Sequence, residues 1–421
     1  MKIAVIGGGS SYTPELLDGL FARAKAIGLE EVRLYDIDPE RLATVADFCL
    51  RMCKASGTCI DHQTTTDLST AVAGVDFVIA QIRVGGNSAR KEDELLGLRH
   101  GLIGQETTGV GGFAKALRTI PAMLEIAAAI EKRAPDATLI NFTNPSGLVT
   151  EALLKHSRVR VIGLCNIPVT FHIEIAKALG AAREEVELES VGLNHLSWVR
   201  TVRLRGEDVT AKALAWGGKA GRPANLGELD YPEGFIRALG MIPMHYLRYY
   251  YLTDRMIEEM KKKGKTRAEE VMEVEAELFK IYRDLTVNEK PAALSKRGGA
   301  HYSLAALELI EAIHFDRGNV LTLDVRNHGA VAELPADAVV EVPCRVGRDG
   351  AVPLPARPVP PAILGLMRAV KAYEELAVTA AVERSRDAAL LALVVHPLGP
   401  DADHAEAVLE DLLRTHRLEL K

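Results

Sequence analysis

The first third of the chain alternates short apolar runs with amphipathic stretches. The apolar runs, which we predict to be strands, cover residues 3–6, 32–35, 77–81, 138–142 and 158–164. Between them, residues 15–27, 39–57 and 121–133 have the composition and spacing of helices. Strands that alternate with helices form parallel sheets that helices cover on both faces. We therefore predict an α/β fold with a Rossmann-like, mostly parallel sheet over residues 1–170.

The pattern changes after about residue 170. Residues 186–193 and 198–205 alternate like antiparallel strands, and residues 206–208 suit the turn after them. Further segments follow: a Gly-rich loop at 215–230, a long helix or helix pair at 255–284, a strand at 338–346, a Pro-rich connection at 353–361 and helices at 368–395 and 405–417. We predict an α+β domain over 171–421, whose last helices could pack back on the first domain. The expected architecture is like that of lactate and malate dehydrogenases.

Composition narrows the kind of protein. Of the 421 residues, 48% are apolar and 26% charged, and the net charge is -6, which argues against a protein that mainly binds nucleic-acid backbones. No apolar run reaches the ~18 residues of a membrane span. Lys2 runs directly into the first apolar stretch, unlike a signal peptide. Five scattered cysteines fit free thiols in a reducing cytoplasm. We expect a cytoplasmic protein with a small-molecule partner, and neither nucleic acid nor membrane.

A glycine-rich turn follows the first predicted strand. Gly7 and Gly9 occupy the first two glycine positions of the dinucleotide-binding fingerprint, whereas Tyr12 stands at the third. Residues without a Cβ allow a pyrophosphate to approach the backbone, and the N-terminus of the next helix then faces that anion. Ser10 and Ser11 lie where that helix begins. The turn therefore indicates a nucleotide site, although a tight strand–helix turn alone could produce the same glycines.

An acidic residue ends the second predicted strand. Asp36 could accept hydrogen bonds from both ribose hydroxyls of an adenosine, and its charge disfavours a 2′-phosphate. The same residue could instead cap the helix that begins near Pro39, although Asp38 could take that task. The acid favours NAD over NADP as the cofactor.

Polar segments follow the other predicted strands of this half. They are residues 82–94, 104–112, 141–147 and 164–168. Ligands of open parallel sheets bind beyond the carboxyl ends of the strands. Repeated amides, hydroxyls and a thiol at these ends are therefore expected to line an active site.

Two strong metal ligands stand out among these segments. Cys165 and His195 lie 30 residues apart, which is not the spacing of a zinc finger. A site with two protein ligands leaves positions open for substrate oxygens and water, which suits catalysis. Taken alone, the pair could equally be a buried cysteine and a hydrogen-bonded histidine.

Tyrosine and arginine residues supply further candidates. Four of the ten tyrosines lie within residues 246–251. A tyrosine can act as a base where neighbouring cations lower its pKa from about 10, although aromatic packing is the alternative. Arg90, Arg267 and the segment 296–299 could hold an anion, because an arginine grips phosphate at two points. Each could also be a solvated surface charge.

Together these motifs resemble glycoside hydrolase family 4. They are GGGSSYTPE at 7–15, GQET at 104–107, NP at 144–145, CNIP at 165–168, NH at 194–195 and YLRYY at 246–250. The likeness continues through KRGG at 296–299, NHG at 327–329 and HPLGP at 396–400, and so runs essentially end to end. Asn166, directly after the cysteine, resembles the 6-phospho-β-glucosidase branch, since the phospho-α-glucosidase branch carries an acid there.

The resemblance implies a glycosidase that depends on NAD and a divalent metal ion, usually Mn²⁺, an exception to catalysis by two carboxylates. It implies that NAD takes hydride from C3 of the sugar, that a base then removes the acidified C2 proton, and that the C1 aglycone leaves by elimination. Water adds back and the hydride returns to C3, so that no net oxidation occurs. The expected products are glucose 6-phosphate and the aglycone.

The resemblance also implies residue roles. Cys165 and His195 would hold the metal ion, and Tyr246 would be the C2 base. The substrate would be held by Arg90, Asn144 and Arg267 at its 6-phosphate and by Asn166 at its hydroxyls. NAD would lie on Gly7, Gly9, Ser10, Ser11 and Asp36. Family members are commonly dimers or tetramers, which implies a homo-oligomer.

The proton donor for the leaving aglycone is not assigned by these motifs, because Asn166 cannot act as an acid. A metal-bound water or an acid near Glu106 are the alternatives. Two other functions are alternatives to the phosphoglucosidase: a family 4 α-galactosidase or α-glucuronidase on an unphosphorylated sugar, and a plain NAD-dependent dehydrogenase. The dehydrogenase would need a His–Asp pair after these strands, and none is visible in the sequence.

Overall fold

The computed structural model describes residues 1–58, 60–215, 230–297 and 301–421. Most of the Gly-rich loop predicted at 215–230, and the end of the KRGG motif, lie outside these residues. The strands are β1 (Lys2–Ile6), β2 (Glu31–Tyr35), β3 (Asp61–Thr65), β4 (Phe77–Ala80), β5 (Thr138–Asn141), β6 (Arg160–Gly163), β7 (Val186–Leu193), β8 (Leu196–Leu204), β9 (Glu207–Asp208), β10 (Ile242–Pro243), β11 (Asn319–Arg326), β12 (Val339–Gly347) and β13 (Gly350–Pro353).

Helices surround these strands. They are α1 (Thr13–Ile27), α2 (Pro39–Ala55), α3 (Leu68–Ala71), α4 (Gly86–Arg99), α5 (Gly109–Arg133), α6 (Ser146–His156), α7 (Asn166–Leu179), α8 (Thr210–Leu214), α9 (Glu233–Leu239), α10 (Arg248–Tyr251), α11 (Thr253–Lys263), α12 (Arg267–Arg283), α13 (Leu294–Arg297), α14 (Tyr302–His314), α15 (Pro361–Glu383), α16 (Arg386–Val395) and α17 (Ala402–His416). Short 3-10 turns cover Arg183–Glu185 and His245–Leu247. No helix of the described residues combines the length and the apolar character that a membrane crossing needs.

The main sheet has the strand order β13-β12-β11-β6-β5-β4-β1-β2-β3. The strands β1 to β6 are parallel in the doubly wound order 3-2-1-4-5-6. The strands β4 and β5 are buried along their whole length, as expected for a sheet with helices on both faces. This confirms the predicted Rossmann-like fold.

The second half of the chain extends the same sheet. The strands β11, β12 and β13 join it with antiparallel pairing, and Asp324 of β11 pairs with Gly163 of β6. The helix α15 also packs on α5 and α6 of the first half. A separate sheet is built from β7, β8, β9 and β10, all antiparallel. The division at residue 170 stays a prediction, since the main sheet runs across it.

The helix α5 begins twelve residues before its predicted start. We expected a loop at 104–112 and a helix from Pro121, but the helix runs through this proline from Gly109. Its first turns lie against other backbone: a Cβ on Gly111 would come within 2.3 Å of the Gln105 carbonyl oxygen. The glycines here allow close packing rather than a flexible loop. The helical region at 255–284 is a pair, because α11 ends at Gly264 with φ 63°.

Candidate active site

A cavity of about 630 Å³ opens where the parallel strands β4, β5 and β6 end. It brings together six predicted residues from distant parts of the chain, namely Arg90, Asn144, Asn166, His195, Tyr246 and Arg267. Asn144 follows β5 and Asn166 follows β6, as expected for ligand positions of an open parallel sheet. The other four residues come from α4, from the β7–β8 turn, from the turn at His245–Leu247 and from the start of α12.

Cys165 contacts His195, which lines this cavity. The Cys165 Sγ lies 3.6 Å from His195 Nε2. His195 occupies the β7–β8 turn with φ 62°, and its Nδ1 lies 3.0 Å from Thr107 Oγ1. Cys165 begins α7, where its Sγ accepts the Ile167 N–H at 3.5 Å. The turn and the helix start thus fix both donor atoms.

The donor pair fits one divalent metal ion. Metal–sulfur and metal–imidazole bonds of about 2.3 and 2.1 Å allow the two donor atoms to lie as close as the observed separation. Burial lowers the pKa of His195 to about 3, so its ring is neutral, the form that binds metals. Burial also raises the pKa of the Cys165 thiol well above its usual value. A bound cation is what would convert this thiol to thiolate.

Tyr246 lies directly against His195. The two rings are stacked with centroids 3.8 Å apart and planes within 2°. The Tyr249 ring flanks Tyr246 at 5.9 Å. Burial, followed by the neighbouring Tyr249 and Cys165, raises the pKa of Tyr246 well above 10. The phenol is therefore neutral here, and it needs a nearby positive charge to act as a base.

Glu106 lies at the centre of three cations. Its carboxylate contacts Lys115 Nζ at 2.7 Å and Arg90 Nη1 at 3.2 Å, and it accepts a hydrogen bond from Arg83. Burial alone would raise the pKa of Glu106, but the three cations together hold it well below its usual value. Burial and the neighbouring Arg83 lower the pKa of Lys115 to about 8. Glu106 is therefore ionised and is not itself a proton donor.

The two predicted phosphate-binding arginines already have acidic neighbours. Arg90 donates from Nε to Glu94 Oε1 at 2.8 Å in addition to its contact with Glu106. Arg267 donates from Nη1 to Glu270 Oε2 at 2.9 Å and from Nη2 to a backbone carbonyl of α13 at 3.1 Å. An anion at this place would share both side chains with carboxylates.

Positive charge nevertheless dominates the cavity wall. The basic lining residues are Arg83, Arg90, Lys91, Arg248, Lys261, Lys263, Lys265, Arg267 and Arg297, against the acidic Glu94, Glu106, Glu259 and Glu269. A surplus of cations in a concave site attracts small anions although the chain as a whole is acidic. The geometry suits a ligand that carries phosphate or carboxylate.

The glycine turn closes tightly on the end of β2. The N–H groups of Gly7 and Gly8 both donate to the Tyr35 carbonyl, at 2.9 and 2.7 Å. A Cβ on Gly8 would lie 2.8 Å from the Leu34 Cβ, and one on Gly9 would lie 2.8 Å from Asp36 Oδ2. A turn stripped of side chains at the start of α1 fits a dinucleotide pyrophosphate.

The alternative role for Asp36 does not hold. Asp38 caps α2, with its Oδ1 accepting the N–H groups of Glu40 and Arg41. Asp36 instead accepts the N–H of Gly9 at 2.9 Å and so faces the glycine turn. The acid thus stands where an adenosine ribose would lie.

Arg297 joins the glycine turn to the cavity. It lines the cavity, and its Nε donates to Ser11 Oγ at 2.7 Å. The predicted cofactor and substrate positions are therefore neighbours.

Sequence reasoning missed three side chains of the site. Thr107 and Arg83 were visible only as polar residues near predicted strand ends, and Lys115 was not distinguished from a surface lysine. Lys115 is almost fully buried on α5, so its contact with Glu106 depends on the early start of that helix. A charged residue at one position on an otherwise apolar helix face was the available signal.

Comparison with known proteins supports a common origin for the whole chain. Residues 2–181 match the family model "Family 4 glycosyl hydrolase", and residues 190–399 match "Family 4 glycosyl hydrolase C-terminal domain". A probable 6-phospho-beta-glucosidase of Bacillus subtilis is 41% identical over 99% of this chain and 96% of its own length.

Solved structures agree with that match. The 6-phospho-beta glucosidase of Thermotoga maritima, with manganese, NAD+ and glucose-6-phosphate, is 41% identical, covers 100% of both chains and superimposes with a TM-score of 0.92. A malate dehydrogenase of Plasmodium falciparum, 15% identical, covers 90% of this chain and 98% of its own with a TM-score of 0.54. The second likeness concerns the fold alone and confirms the expected dehydrogenase-like architecture.

Proposed function

Because the chain belongs to glycosyl hydrolase family 4, we propose that it hydrolyses 6-phospho-β-glucosides to glucose 6-phosphate and an aglycone, with NAD and Mn²⁺ or another divalent metal ion as cofactors. The observation that carries this proposal is the stack of Tyr246 on His195, beside Cys165, in a cation-lined cavity. The arrangement pairs a metal-binding position with a tyrosine whose phenolate can take a proton. Asn166 directly after Cys165 supports the β-glucoside branch.

Two cofactor positions fit the residues present. Cys165 and His195 would hold the metal ion, and Gly7, Gly9, Ser10, Ser11 and Asp36 would hold NAD, as the geometry of both sites supports. When bound, NAD supplies a reversible hydride acceptor for C3, and the metal ion polarises the C2 and C3 oxygens.

Tyr246 removes the C2 proton in this proposal. Its ring is held by stacking on His195, so its hydroxyl keeps a fixed position relative to the metal ligands. Burial disfavours the phenolate, so Tyr246 can act as a base only when positive charge close to its oxygen holds it deprotonated. The phenolate then takes the C2 proton and becomes the neutral phenol. Asn166, which is almost fully buried at the start of α7, hydrogen-bonds the sugar hydroxyls beside it.

The 6-phosphate lies on the cationic wall of the cavity. Arg90, Asn144 and Arg267 would bind it, and all three line the cavity. Arg267 has the more exposed side chain of the two arginines, 26% against 11% for Arg90. Arg267 is therefore the main phosphate ligand of this proposal, while Arg90 also orients Glu106.

The proposal extends to surroundings and assembly. Phosphorylated sugars and NAD are charged metabolites that do not cross membranes unaided, so the enzyme would work in the cytoplasm on a soluble phosphosugar. Cys49, Cys53, Cys165 and Cys344 are free thiols, in keeping with a reducing compartment. A homodimer or homotetramer remains the prediction from the family resemblance.

A paired assay tests the function. Release of 4-nitrophenol is measured from 4-nitrophenyl β-glucoside 6-phosphate, its unphosphorylated form and its α-anomer, each with and without NAD and Mn²⁺. We expect turnover of the β-phosphorylated substrate alone, only with both cofactors present, and no growth of NADH absorbance as product accumulates.

Each other outcome points to a different activity. NADH that rises with product would indicate a dehydrogenase. Equal rates on the unphosphorylated glucoside would indicate the branch of the family that acts on free sugars. Activity that survives EDTA would contradict the metal role of Cys165 and His195.

A further inference from the structure

Two acidic side chains face each other behind the cavity. Asp324 of β11 and Glu341 of β12 are direct register partners in the antiparallel pair, and they are 1% and 2% exposed. Side chains paired in this way lie about 5 Å apart at Cβ. Two ionised carboxylates cannot remain this close in a buried place, so one of them must be neutralised.

The hydrogen bonds identify which acid carries the proton. Both oxygens of Glu341 act as acceptors, Oε1 from Ser197 Oγ at 2.7 Å and Oε2 from Asn194 Nδ2 at 3.1 Å. Asp324 Oδ2 accepts from Ser146 Oγ at 2.7 Å. Asp324 Oδ1 is buried and meets no donor among the described residues. A protonated Oδ1 needs no donor, because it gives its own hydrogen to the carboxylate opposite.

The charge balance agrees with the hydrogen bonds. Burial, followed by the charge of Glu341, raises the pKa of Asp324 well above its usual value. Burial raises the pKa of Glu341 too, but hydrogen bonding with Ser197, Asn194 and Asp324 opposes that shift. The pair therefore carries one negative charge, held by Glu341.

Each acid is hydrogen-bonded to residues that lie close in sequence to a proposed site residue. Glu341 binds Asn194 and Ser197, which lie on either side of His195. His195 has φ 62°, a left-handed backbone conformation that residues with a side chain rarely adopt and that its surroundings must therefore hold. Asp324 binds Ser146, two residues after Asn144.

We propose that Asp324 and Glu341 share one proton and act as a positioning pair, in which neutral Asp324 donates to ionised Glu341 and Glu341 fixes the turn that carries His195. The inference rests on the metal role proposed for His195. It adds a source of metal affinity beyond the two ligands: an imidazole held in one orientation and a negative charge on Glu341 close to the turn that carries it. Groups that orient metal ligands typically contribute about 10–100-fold to affinity.

Two isosteric variants distinguish this pair from a merely structural one. In Asp324→Asn the amide N–H replaces the acid O–H as donor to Glu341, and the amide oxygen still accepts from Ser146. In Glu341→Gln the charge is lost, and the amide nitrogen cannot accept a hydrogen bond. We expect Mn²⁺ affinity to fall about 10–100-fold in Glu341→Gln and to stay within about threefold in Asp324→Asn.

The experiment is an electron paramagnetic resonance titration of Mn²⁺ into the EDTA-treated full chain with NAD present, with circular dichroism to verify folding. Equal losses in the two variants, or wild-type affinity in folded Glu341→Gln, would overturn the inference. A wild-type chain that binds no Mn²⁺ would overturn the proposed metal site and, with it, the effect of the pair on affinity.

A second measurement does not depend on the folding of Glu341→Gln. The infrared difference spectrum between the wild-type chain and Asp324→Asn at pH 7 should show the C=O stretch of a protonated carboxyl that the variant lacks. Burial raises the pKa of Glu374 to about 7, but Glu374 is present in both chains and its band cancels in the difference spectrum. Absence of the band, or its persistence in Asp324→Asn, would exclude the shared proton whatever the metal titration gives.

Discussion

The phenol ring of Tyr246 lies flat on the imidazole of His195, with 3.8 Å between ring centroids. The proposed base and one proposed metal ligand are thus held against each other by this ring stack. Tyr246→Phe keeps the stacked ring and removes only the hydroxyl. Because a positioned base contributes about 10²–10⁴-fold, kcat on 4-nitrophenyl β-glucoside 6-phosphate should fall by that factor, with Mn²⁺ affinity unchanged.

Tyr250→Phe is the matched control for this prediction. Tyr250 stands four residues along the same aromatic segment but packs on His396, outside the cavity wall. Its variant should keep kcat within about threefold of wild type. A Tyr246→Phe enzyme with wild-type kcat would leave the C2 proton without its proposed acceptor.

The hydroxyl of Thr107 orients the other side of the His195 ring. It lies 3.0 Å from Nδ1, which leaves Nε2 directed at Cys165. Thr107→Val keeps the shape of the side chain and removes the hydroxyl that contacts His195. Mn²⁺ affinity should therefore fall about 10–100-fold, and added Mn²⁺ should restore activity. Thr108→Val is the control, because the Thr108 hydroxyl makes no cap bond to α5. If both variants bound Mn²⁺ equally well, Thr107 would have no orienting role.

Strands that are buried along nearly their whole length could be predicted from the sequence. The strands β1, β4 and β5 lie in the interior of the sheet and appear as mostly apolar, buried runs. The strand β3 was not predicted, because it lies at the sheet edge and reads DHQTT, largely exposed. Hydrophobic periodicity carries no signal for such an edge strand.

The same limit applies to the site. Residues that directly follow strands, such as Asn144 and Asn166, were predicted because the topology of a parallel sheet gathers strand ends at one edge. Contacts made by helix α5 and by the antiparallel strand β11 depend on packing between distant segments. Lys115 and Asp324 therefore stayed hidden among ordinary charged residues, although both are almost fully buried.

Asp36 should decide between NAD and NADP. Its carboxylate already accepts the Gly9 N–H at the turn where the ribose would lie. Asp36→Asn removes the charge that repels a 2′-phosphate and weakens the acceptor for the ribose hydroxyls. Charged hydrogen bonds contribute about 1.5–3 kcal/mol, so the NAD dissociation constant should rise about tenfold or more while that for NADP falls. Calorimetric titration of each nucleotide measures both changes.

Asp38→Asn separates this effect from helix capping. Asparagine caps a helix about as well as aspartate, so α2 keeps its N-cap and neither nucleotide should bind differently. A shift in preference in Asp38→Asn as large as in Asp36→Asn would refute the ribose role.

Arg267 should matter for phosphorylated substrate only. Its guanidinium reaches the cavity from the first residue of α12. Arg267→Ala removes charge-assisted hydrogen bonds to the 6-phosphate, so KM should rise about 10–100-fold with a smaller change in kcat. Arg255→Ala on the neighbouring α11, outside the cavity wall, is the matched loss of an arginine. An unchanged KM in Arg267→Ala would favour an unphosphorylated substrate.

Replacing Lys371 should lower the free energy of unfolding, and the loss should depend on pH. It is buried between Glu151 and Glu374, with its Nζ 2.5 Å from a carboxylate oxygen of each. Lys371→Met leaves the buried Glu374 without its cation and leaves Glu151 paired with Lys155 alone. Removing one partner of a buried ion pair typically costs about 3–5 kcal/mol. We expect a lower urea midpoint at pH 8, measured by circular dichroism. Lys155→Met, whose side chain is 22% exposed, should cost about 1 kcal/mol or less.

The loss in Lys371→Met should shrink as the pH falls. Burial raises the pKa of Glu374 to about 7 in the folded chain, followed by a further upward contribution from Glu151, whereas Lys371 lowers it. Without Lys371 this folded-state pKa is higher still and stays above that of the unfolded chain. The folded variant then binds a proton that the unfolded chain releases above about pH 4.3, so its stability rises toward acid. The gap in midpoint between wild type and Lys371→Met should therefore be smaller at pH 6 than at pH 8, and an equal gap at both would mean that Glu374 does not take up the proton.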